Sequence, residues 1–381
     1  MRVAALLSGG VDSSVALVRA CRAGHNVTAF YLKIWLEEEL RFLGRCPWEE
    51  DLAYARATCG RYGVPLEVVP LQQEYHRDVV AHTLEELRLG RTPSPDLRCN
   101  RYIKLGAFAD RWGREFDCIV TGHYARRRRR RRAAVEVGAD GTASAGRWQL
   151  LRGRDPVKDQ TYFLAAITAE QLARVWFPLG DEPKSAVRGA AAELDLPSAS
   201  RPDSQGICFL GNVPYRAFVA AHLGEAGGPI REWHSGAQVG THRGHWFHTI
   251  GQRQGLGLGS GPWYVVAKDA ADNTVWVAHQ RAATAADQLH LQHVVWRERP
   301  SAAALAVRIR HGAALLPARV AAGEAGAADV TVTLDAAEAG VAPGQYAVLY
   351  EDQVCLGCGV IASASLGDGH AVGDAALSGA A

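Results

Sequence analysis

The stretch Leu7-Ser8-Gly9-Gly10-Val11-Asp12-Ser13-Ser14 follows the apolar run Val3-Ala4-Ala5-Leu6-Leu7 and leads into Val15-Ala16-Leu17-Val18. An apolar run, two glycines and a second apolar-rich run read as a strand, a tight turn and a helix. Glycine lets backbone approach a ligand closely. The amides that open a helix, with the hydroxyls of Ser8, Ser13 and Ser14, then converge on negative charge. The stretch reads as a phosphate cradle, although it lacks the Gly-Lys-Ser/Thr ending of a Walker loop and the spacing of a dinucleotide fingerprint. The plainer alternative is a glycine turn in which Asp12 caps the helix.

Outward from this loop, apolar runs recur at Val3–Leu7, Val27–Tyr31, Leu66–Val69 and Cys118–Thr121, separated by the amphipathic stretches Asp51–Tyr62 and Tyr75–Leu89. Such alternation specifies an α/β fold with a parallel sheet and crossover helices. Ligands of these sheets sit at the carboxyl ends of the strands, so Ser8 to Ser14, Tyr31 to Lys33 and Thr121 to Tyr124 are expected to face one site. Past Arg201 the chain turns glycine-rich, with short runs at Trp246–Ile250, Trp263–Val266 and Thr274–Val277 that read as strands of a small central β domain. Ala306–Arg310, Val330–Leu334 and Ala347–Tyr350 follow, each bounded by turn residues, and read as a C-terminal β-barrel. The expected domains are 1–203, 204–284 and 285–367, with a frayed tail at 368–381.

The chain has 381 residues, 48% hydrophobic and 22% charged, with a net charge of +2, so a polyanion-binding surface would have to be local. No stretch reads as membrane-spanning. Met1-Arg2 runs straight into the first strand, leaving this chain no cleavable targeting sequence. The eight cysteines are scattered, which suits thiols in a reducing compartment. The seven-arginine run Arg126–Arg132 and the Gly/Ala/Ser-rich stretch after it are expected to form a solvated or disordered insertion at 126–147; the alternative is a mobile arm that attracts a polyanion. Cys355-Leu356-Gly357-Cys358 is a lone CxxC without the second pair a zinc site needs, and is read as incidental, with no metal site expected.

Three further segments narrow the reading: Arg91-Thr92-Pro93-Ser94-Pro95-Asp96-Leu97-Arg98-Cys99-Asn100, Asp203-Ser204-Gln205-Gly206-Ile207-Cys208-Phe209-Leu210-Gly211, and Thr249-Ile250-Gly251-Gln252-Arg253-Gln254-Gly255 with its continuation to Gly259. The loop at Ser8 resembles the SGGxDS loop of ATP pyrophosphatases. With these segments, and with Thr121–Arg126, Lys158–Leu164 and Ala342–Gln345, almost the whole chain resembles the tRNA-specific 2-thiouridylases. The resemblance implies an adenine nucleotide α-hydrolase-like N-terminal domain that activates the carbon-2 oxygen of the wobble uridine with ATP, magnesium assisting, and replaces it by sulfur. Nucleotide contacts are then expected from Leu6, Leu7, Ser8, Gly9, Gly10, Val11, Asp12 and Ser13, with the adenine near Leu32 and Gly122.

The chemistry needs these parts. A uracil carbonyl has a poor leaving oxygen, and AMP makes it a good one. Sulfur must arrive as a nucleophile, and a thiol with pKa near 8.5 is only a few per cent thiolate at neutral pH, so a persulfide is the better carrier. By resemblance Cys208 carries the persulfide, Cys99 attacks it to leave a Cys99–Cys208 disulfide, and Asp96 acts as acid or base. The prolines at 93 and 95 are expected to hold the preceding chain extended, so that Asp96 and Cys99 project together. The tRNA contacts implied are Ser94, Pro95 and Asp96 around the base, His123, Lys158, Asp159 and Gln160, and Arg310, His311 and Gln345, although the family has tyrosine at the His311 position. The segment Trp35–Leu40 resembles plant and algal relatives. That raises a plastid or mitochondrial setting beside the cytoplasm. The implied partners are tRNAs for Lys, Glu and Gln and a cysteine desulfurase or sulfur-relay protein. Two rivals share parts of this pattern: a synthetase adenylating a small substrate, which needs no paired cysteines, and a tRNA-binding protein without catalysis.

Overall fold

The computed structural model describes residues 1–34, 48–130, 148–203, 214–301, 304–321, 327–365 and 371–372. Cys46, Cys208, Trp35–Leu40, Arg131 and Arg132, and the Gly/Ala/Ser-rich stretch lie outside them. Two compact units are present: Met1–Val80, Pro95–Tyr215 and Gln353–Leu356 form one, and Ala81–Ser94, Arg216–Asp352 and Gly357–Ala381 the other.

The first unit contains strands β1 (Arg2–Leu6), β2 (Asn26–Lys33), β3 (Leu66–Pro70), β4 (Cys118–Val120), β5 (Ala125–Arg129), β6 (Trp148–Arg152) and β7 (Val175–Trp176). Five of these make a sheet in the order β3-β2-β1-β4-β7, with every pairing parallel. A parallel sheet is covered on both faces, and its strands read as continuous apolar runs rather than alternating ones. Val3, Ala4 and Ala5 of β1 are accordingly at most 1% exposed. Helix α1 (Val11–Arg22) packs on β1 with Val15, Leu17 and Val18 fully buried, and truncating Leu17 to alanine would cost about 2–5 kcal/mol. Helix α2 (Trp48–Tyr62) covers β2 and β3, burying Leu52, Ala55 and Cys59.

The arginine run departs from expectation. Ala125–Arg129 is a strand, paired antiparallel with β6 from Ala125↔Arg152 to Arg129↔Trp148. Like charges are tolerated there because Arg126, Arg127 and Arg128 each find a separate partner and Arg129 is exposed to solvent. Arg126 donates to the Arg152 carbonyl at 2.7 Å, Arg127 stacks over the Trp148 ring at 4.2 Å and donates to the Ala173 carbonyl at 2.8 Å, and Arg128 donates to Gln149 at 2.7 Å.

In the second unit, β8 (Gly228–Glu232), β9 (Gln238–His242), β10 (Tyr264–Asp269) and β11 (Thr274–Ala278) form a sheet ordered β10-β11-β8-β9 around Ile230, Val265, Val275 and Val277. Trp246–Ile250 is not a strand. His245–Phe247 is a single 3₁₀ turn, entered through Gly244 at φ +142°. Strands β12 (Ala285–Trp296), β13 (Ala304–Arg308), β14 (Leu316–Val320), β15 (Val330–Ala339), β16 (Tyr346–Glu351) and β17 (Val354–Ser365) run in the order β12-β15-β14-β13-β16-β17, and β12 pairs again with β17 to close a six-stranded barrel. Alternation supplies its interior: Val330, Val332 and Leu334 of β15 are buried while Thr331 and Thr333 are less so. Closure removes the edges that an open sheet would expose. In the tail, Ala371–Val372 pairs with Ala364 and Ser365 of β17.

Candidate active site

The loop after β1 is built as its sequence suggests. The Leu7 amide extends the ladder to the Phe30 carbonyl at 2.9 Å, and Leu7 itself is buried, so the chain leaves the sheet at Ser8 from a fixed point. Gly9 takes φ +74°, and a Cβ there would lie 2.2 Å from the Asp51 carbonyl oxygen, so no other residue fits. Ser13 ties the turn together: its hydroxyl receives the Ser8 amide at 3.2 Å and meets the Ser8 hydroxyl at 3.1 Å, while Ser14 donates to the Gly10 carbonyl at 2.9 Å. Arg201 braces the outside, donating to the Gly9 carbonyl at 3.0 Å and to Asp51 at 2.7 Å. Val11 is buried in the first turn of α1. The register Leu6↔Phe30 and Ala5↔Val120 brings the ends of β1, β2 and β4 side by side, so Leu32 near the end of β2 and Gly122 after β4 lie at the same edge of the sheet as the loop. A Cβ at Gly122 would sit 2.7 Å from the Ser13 nitrogen, so glycine alone allows the chain after β4 this close to the helix start.

Asp12 lies at the centre of a charged network that the sequence did not announce. Its Oδ1 accepts the Tyr124 hydroxyl at 2.8 Å, and Lys184 Nζ donates to both its oxygens at 2.7 and 2.8 Å. Lys184 also reaches Asp203 at 2.9 Å. Asp203 further receives Arg188, and Lys158 at 2.7 Å. Burial opposes the Asp203 charge, yet the hydrogen bonds from Lys158 and Lys184 hold its carboxyl well below the ordinary carboxylate range. Burial and the neighbouring Asp12 charge push the Tyr124 phenol far up, so it stays a donor. One signal for Lys184 was present in the sequence. It opens helix α3 (Lys184–Glu193), whose first turn has no acidic residue, and a cation at a helix start works against the macrodipole unless something else requires it.

Asp96 and Cys99 come together on a helix. Pro95 opens the turn Pro95–Arg98, where its fixed φ suits the first helical position, and a three-residue spacing then puts both side chains on one face. The chain continues as a π-helical segment, Cys99–Ala107. Cys99 is 1% exposed, and burial pushes its thiol up to about 11, Lys104 offsetting part of this and Asp96 adding to it. Asp96 Oδ1 is buried with no hydrogen-bond partner among the described residues. Such an oxygen is costly to bury unless a ligand meets it. His123, whose Nδ1 lies 2.9 Å from the Thr121 hydroxyl, is held neutral: burial, with Lys104 assisting, pushes it down to about 3.

The Lys158–Gln160 turn is tied to the same centre. The Gln160 amide donates to the Tyr124 carbonyl at 3.0 Å, and its side chain receives the Tyr124 amide at 2.9 Å. Asp159 is enclosed, receiving the Thr161 hydroxyl at 2.7 Å, the Gly153 amide at 3.1 Å and Arg152 at 3.2 Å, so its side chain fixes the turn instead of facing outward. Ser94 falls in the second unit, where Gln345 donates to the Thr92 and Pro93 carbonyls at 2.9 and 3.3 Å and the Thr92 amide to the Pro343 carbonyl at 2.8 Å. Arg310 pairs with Glu338 at 3.3 Å, and His311 beside it is exposed. Cys355 and Cys358, both buried in β17, are an odd number of residues apart and so point to opposite faces of the strand. Among the described residues no group of three or more His, Cys, Asp or Glu could hold a metal ion, and no helix is long and apolar enough to cross a membrane.

Comparison with known proteins covers nearly the whole chain. Family models described as the tRNA methyl transferase HUP domain, the tRNA methyl transferase PRC-barrel domain and the aminomethyltransferase beta-barrel domain match residues 1–212, 216–279 and 286–361. The tRNA-specific 2-thiouridylase MnmA 2 of Bacteroides fragilis is 41% identical over 95% of this chain and 100% of its own length. The tRNA-specific 2-thiouridylase MnmA of Porphyromonas gingivalis is 41% identical over 95% and 99%. Among solved structures, an NMN synthetase from Francisella tularensis aligns at 16% identity over 57% of this chain and 75% of that one, with a TM-score of 0.33, too slight a likeness to carry an argument.

Proposed function

The chain belongs to the tRNA-specific 2-thiouridylase family, and from that membership we propose that it thiolates carbon 2 of the wobble uridine of tRNA at the expense of ATP. The family-model descriptions speak of methyl transfer and the relatives of thiolation. The observation that favours sulfur is the helical face that sets buried Cys99 beside Asp96, whose Oδ1 has no partner among the described residues. The loop Ser8 to Ser14 adds the phosphate cradle that activating a carbonyl oxygen with ATP requires.

ATP lies with its phosphates on Leu6 to Ser13 and its adenine by Leu32 and Gly122. The uracil oxygen attacks the α-phosphorus and pyrophosphate leaves. Asp12 would hold the magnesium that accompanies the phosphates; one carboxylate plus phosphate oxygens is the donor set such an ion takes. Cys208 carries the incoming sulfur as a persulfide. The Cys99 thiolate attacks Cys208 Sγ, the terminal sulfur departs as hydrosulfide and adds to carbon 2, and AMP leaves. A disulfide remains, and two electrons from a thiol reductant reset it. Asp96 takes the Cys99 proton. In the first unit Pro95 and Asp96 meet the extruded base and Lys158, Gln160 and His123 the adjoining RNA; in the second unit Ser94, Arg310, His311 and Gln345 are further tRNA contacts. The acceptors are tRNAs for Lys, Glu and Gln, the sulfur source is a cysteine desulfurase or relay protein, and the compartment is the cytoplasm.

Nucleoside mass spectrometry of tRNA incubated with the protein, ATP, magnesium and a persulfide donor tests this. The expected product is 2-thiouridine at the wobble position, with AMP and pyrophosphate in equal amounts. Methylated uridine, or ADP and phosphate as the main products, overturns the reading. Cys99→Ser and Cys208→Ser are each expected to lose thiolation, Cys208→Ser still forming adenylated tRNA.

A further inference from the structure

We propose that Lys184 is the side chain that grips the polyphosphate of ATP and carries the charge of the departing pyrophosphate. Its ammonium spends its donors on three carboxylate oxygens, at 2.7 and 2.8 Å on Asp12 and 2.9 Å on Asp203. It is 11% exposed, so these bonds form largely out of water. Asp12 belongs to the phosphate loop itself, and the ammonium therefore rests beside the hydroxyls and amides that would hold a phosphate chain. A lysine head is a compact charge on a flexible stem, able to move from a carboxylate to phosphate oxygens without rebuilding a planar fork.

Withdrawing Lys184 strands no charge at Asp203 and frees the Asp12 carboxylate, which would hold the magnesium that accompanies the phosphates. Asp203 keeps Lys158 at 2.7 Å and Arg188, and Asp12 keeps the Tyr124 hydroxyl at 2.8 Å. Withdrawing Lys158 or Arg188 brings no new cation to the loop, because Asp203 is the carboxylate they share. As ATP enters, Lys184 leaves the carboxylates for the phosphates. When the bond from the uracil oxygen to the α-phosphorus forms and the bond to pyrophosphate breaks, the electron pair goes with pyrophosphate, and Lys184 stabilises it. At the helix start the lysine works against the macrodipole, a cost that a purely structural ion pair would not require at that position.

This inference rests on the Ser8 to Ser14 loop being the ATP site. Calorimetry on the full-length protein with ATP, inorganic pyrophosphate and AMP compares wild type with Lys184→Met, Asp203→Asn and the double variant. Lys184→Met is expected to weaken ATP and pyrophosphate by about tenfold or more, the size of a lost charge-assisted hydrogen bond, and to leave AMP nearly unchanged. The double variant removes one carboxylate together with the ammonium and so keeps the wild-type net charge. It is expected to fold and still to bind ATP weakly, and it carries the same comparison should Lys184→Met alone not fold. Recovery of ATP affinity in the double variant, or an equal loss for AMP, would reduce Lys184 to a structural counter-ion and overturn the proposal. Wild-type protein that binds neither ATP nor pyrophosphate overturns the ATP site and this inference together.

Discussion

Burial holds the Cys99 thiol up to about 11, and Asp96 adds to the effect while Lys104 offsets it. At neutral pH the free protein then holds only about one part in ten thousand as thiolate, against a few per cent for an ordinary thiol. A thiol held neutral in this way is a poor nucleophile and resists oxidation. Iodoacetamide labelling of Cys99 followed by peptide mass spectrometry is expected to keep climbing as pH rises from neutrality toward 11. A plateau near 8.5, the range of an unperturbed thiol, would show that it is not held neutral. Cys99 and Asp96 were legible as a pair from their motif, but the reason for their meeting was not. The prolines spoke only to the chain before Asp96; what joins the pair is the helical turn that Pro95 opens, and a three-residue spacing means opposite faces on a strand and one face on a helix.

Strand β5 shows how an element can contradict its composition. Density of like charge suggests a solvated loop, but Arg127 sits between the Trp148 ring and the Leu172 and Ala173 carbonyls that end the helix Ala169–Arg174. Burial pushes its guanidinium down from its ordinary value, with Cys118 acting in the opposite sense. Arg127→Met is expected to lower stability by about 1–3 kcal/mol, since it leaves those carbonyls unmet and removes a stacking partner. Arg129, exposed on the same strand, is expected to change stability by less than about 0.5 kcal/mol when made methionine. Urea titration of both variants checks this, and equal losses would mean that the strand, not the side-chain partners, sets the effect. The misread segment Trp246–Ile250 has a related cause: its aromatic residues suit a strand, but Gly244 at φ +142° turns the chain into a 3₁₀ turn first.

Across the fold, buried histidines lower the tolerance of acid, His248 and His123 the most and His242 in the same direction. Burial pushes His248 down to about 4, with His242, Arg216 and Lys268 acting in the same direction, and neither of its ring nitrogens has a hydrogen-bond partner among the described residues. His123 is pushed lower still. Both groups are depressed, so the unfolded chain takes up their protons first, near pH 6.5. Their contribution to stability is complete above that pH and is lost as pH falls toward 4. Urea midpoints measured between pH 7 and 4.5 are expected to fall more steeply for wild type than for His248→Phe. Parallel slopes for the two proteins would refute the assignment.

The glycine loop after β1, the βα alternation of the first unit and the pairing of Asp96 with Cys99 were legible in the chain, because each is written in a short window: two glycines between an apolar run and a helix, or an acid three residues from a thiol. Folding alone brings Lys184 and Tyr124 onto Asp12, gathers Lys158, Lys184 and Arg188 around Asp203, and lets Gln345 bind the backbone at Thr92 and Pro93. It also decided that a run of arginines becomes a strand, through pairing with Trp148–Arg152. Local propensity acts over a few residues, whereas a buried ion network or a strand pairing gains its free energy from partners that only folding brings near and from the water that their meeting excludes.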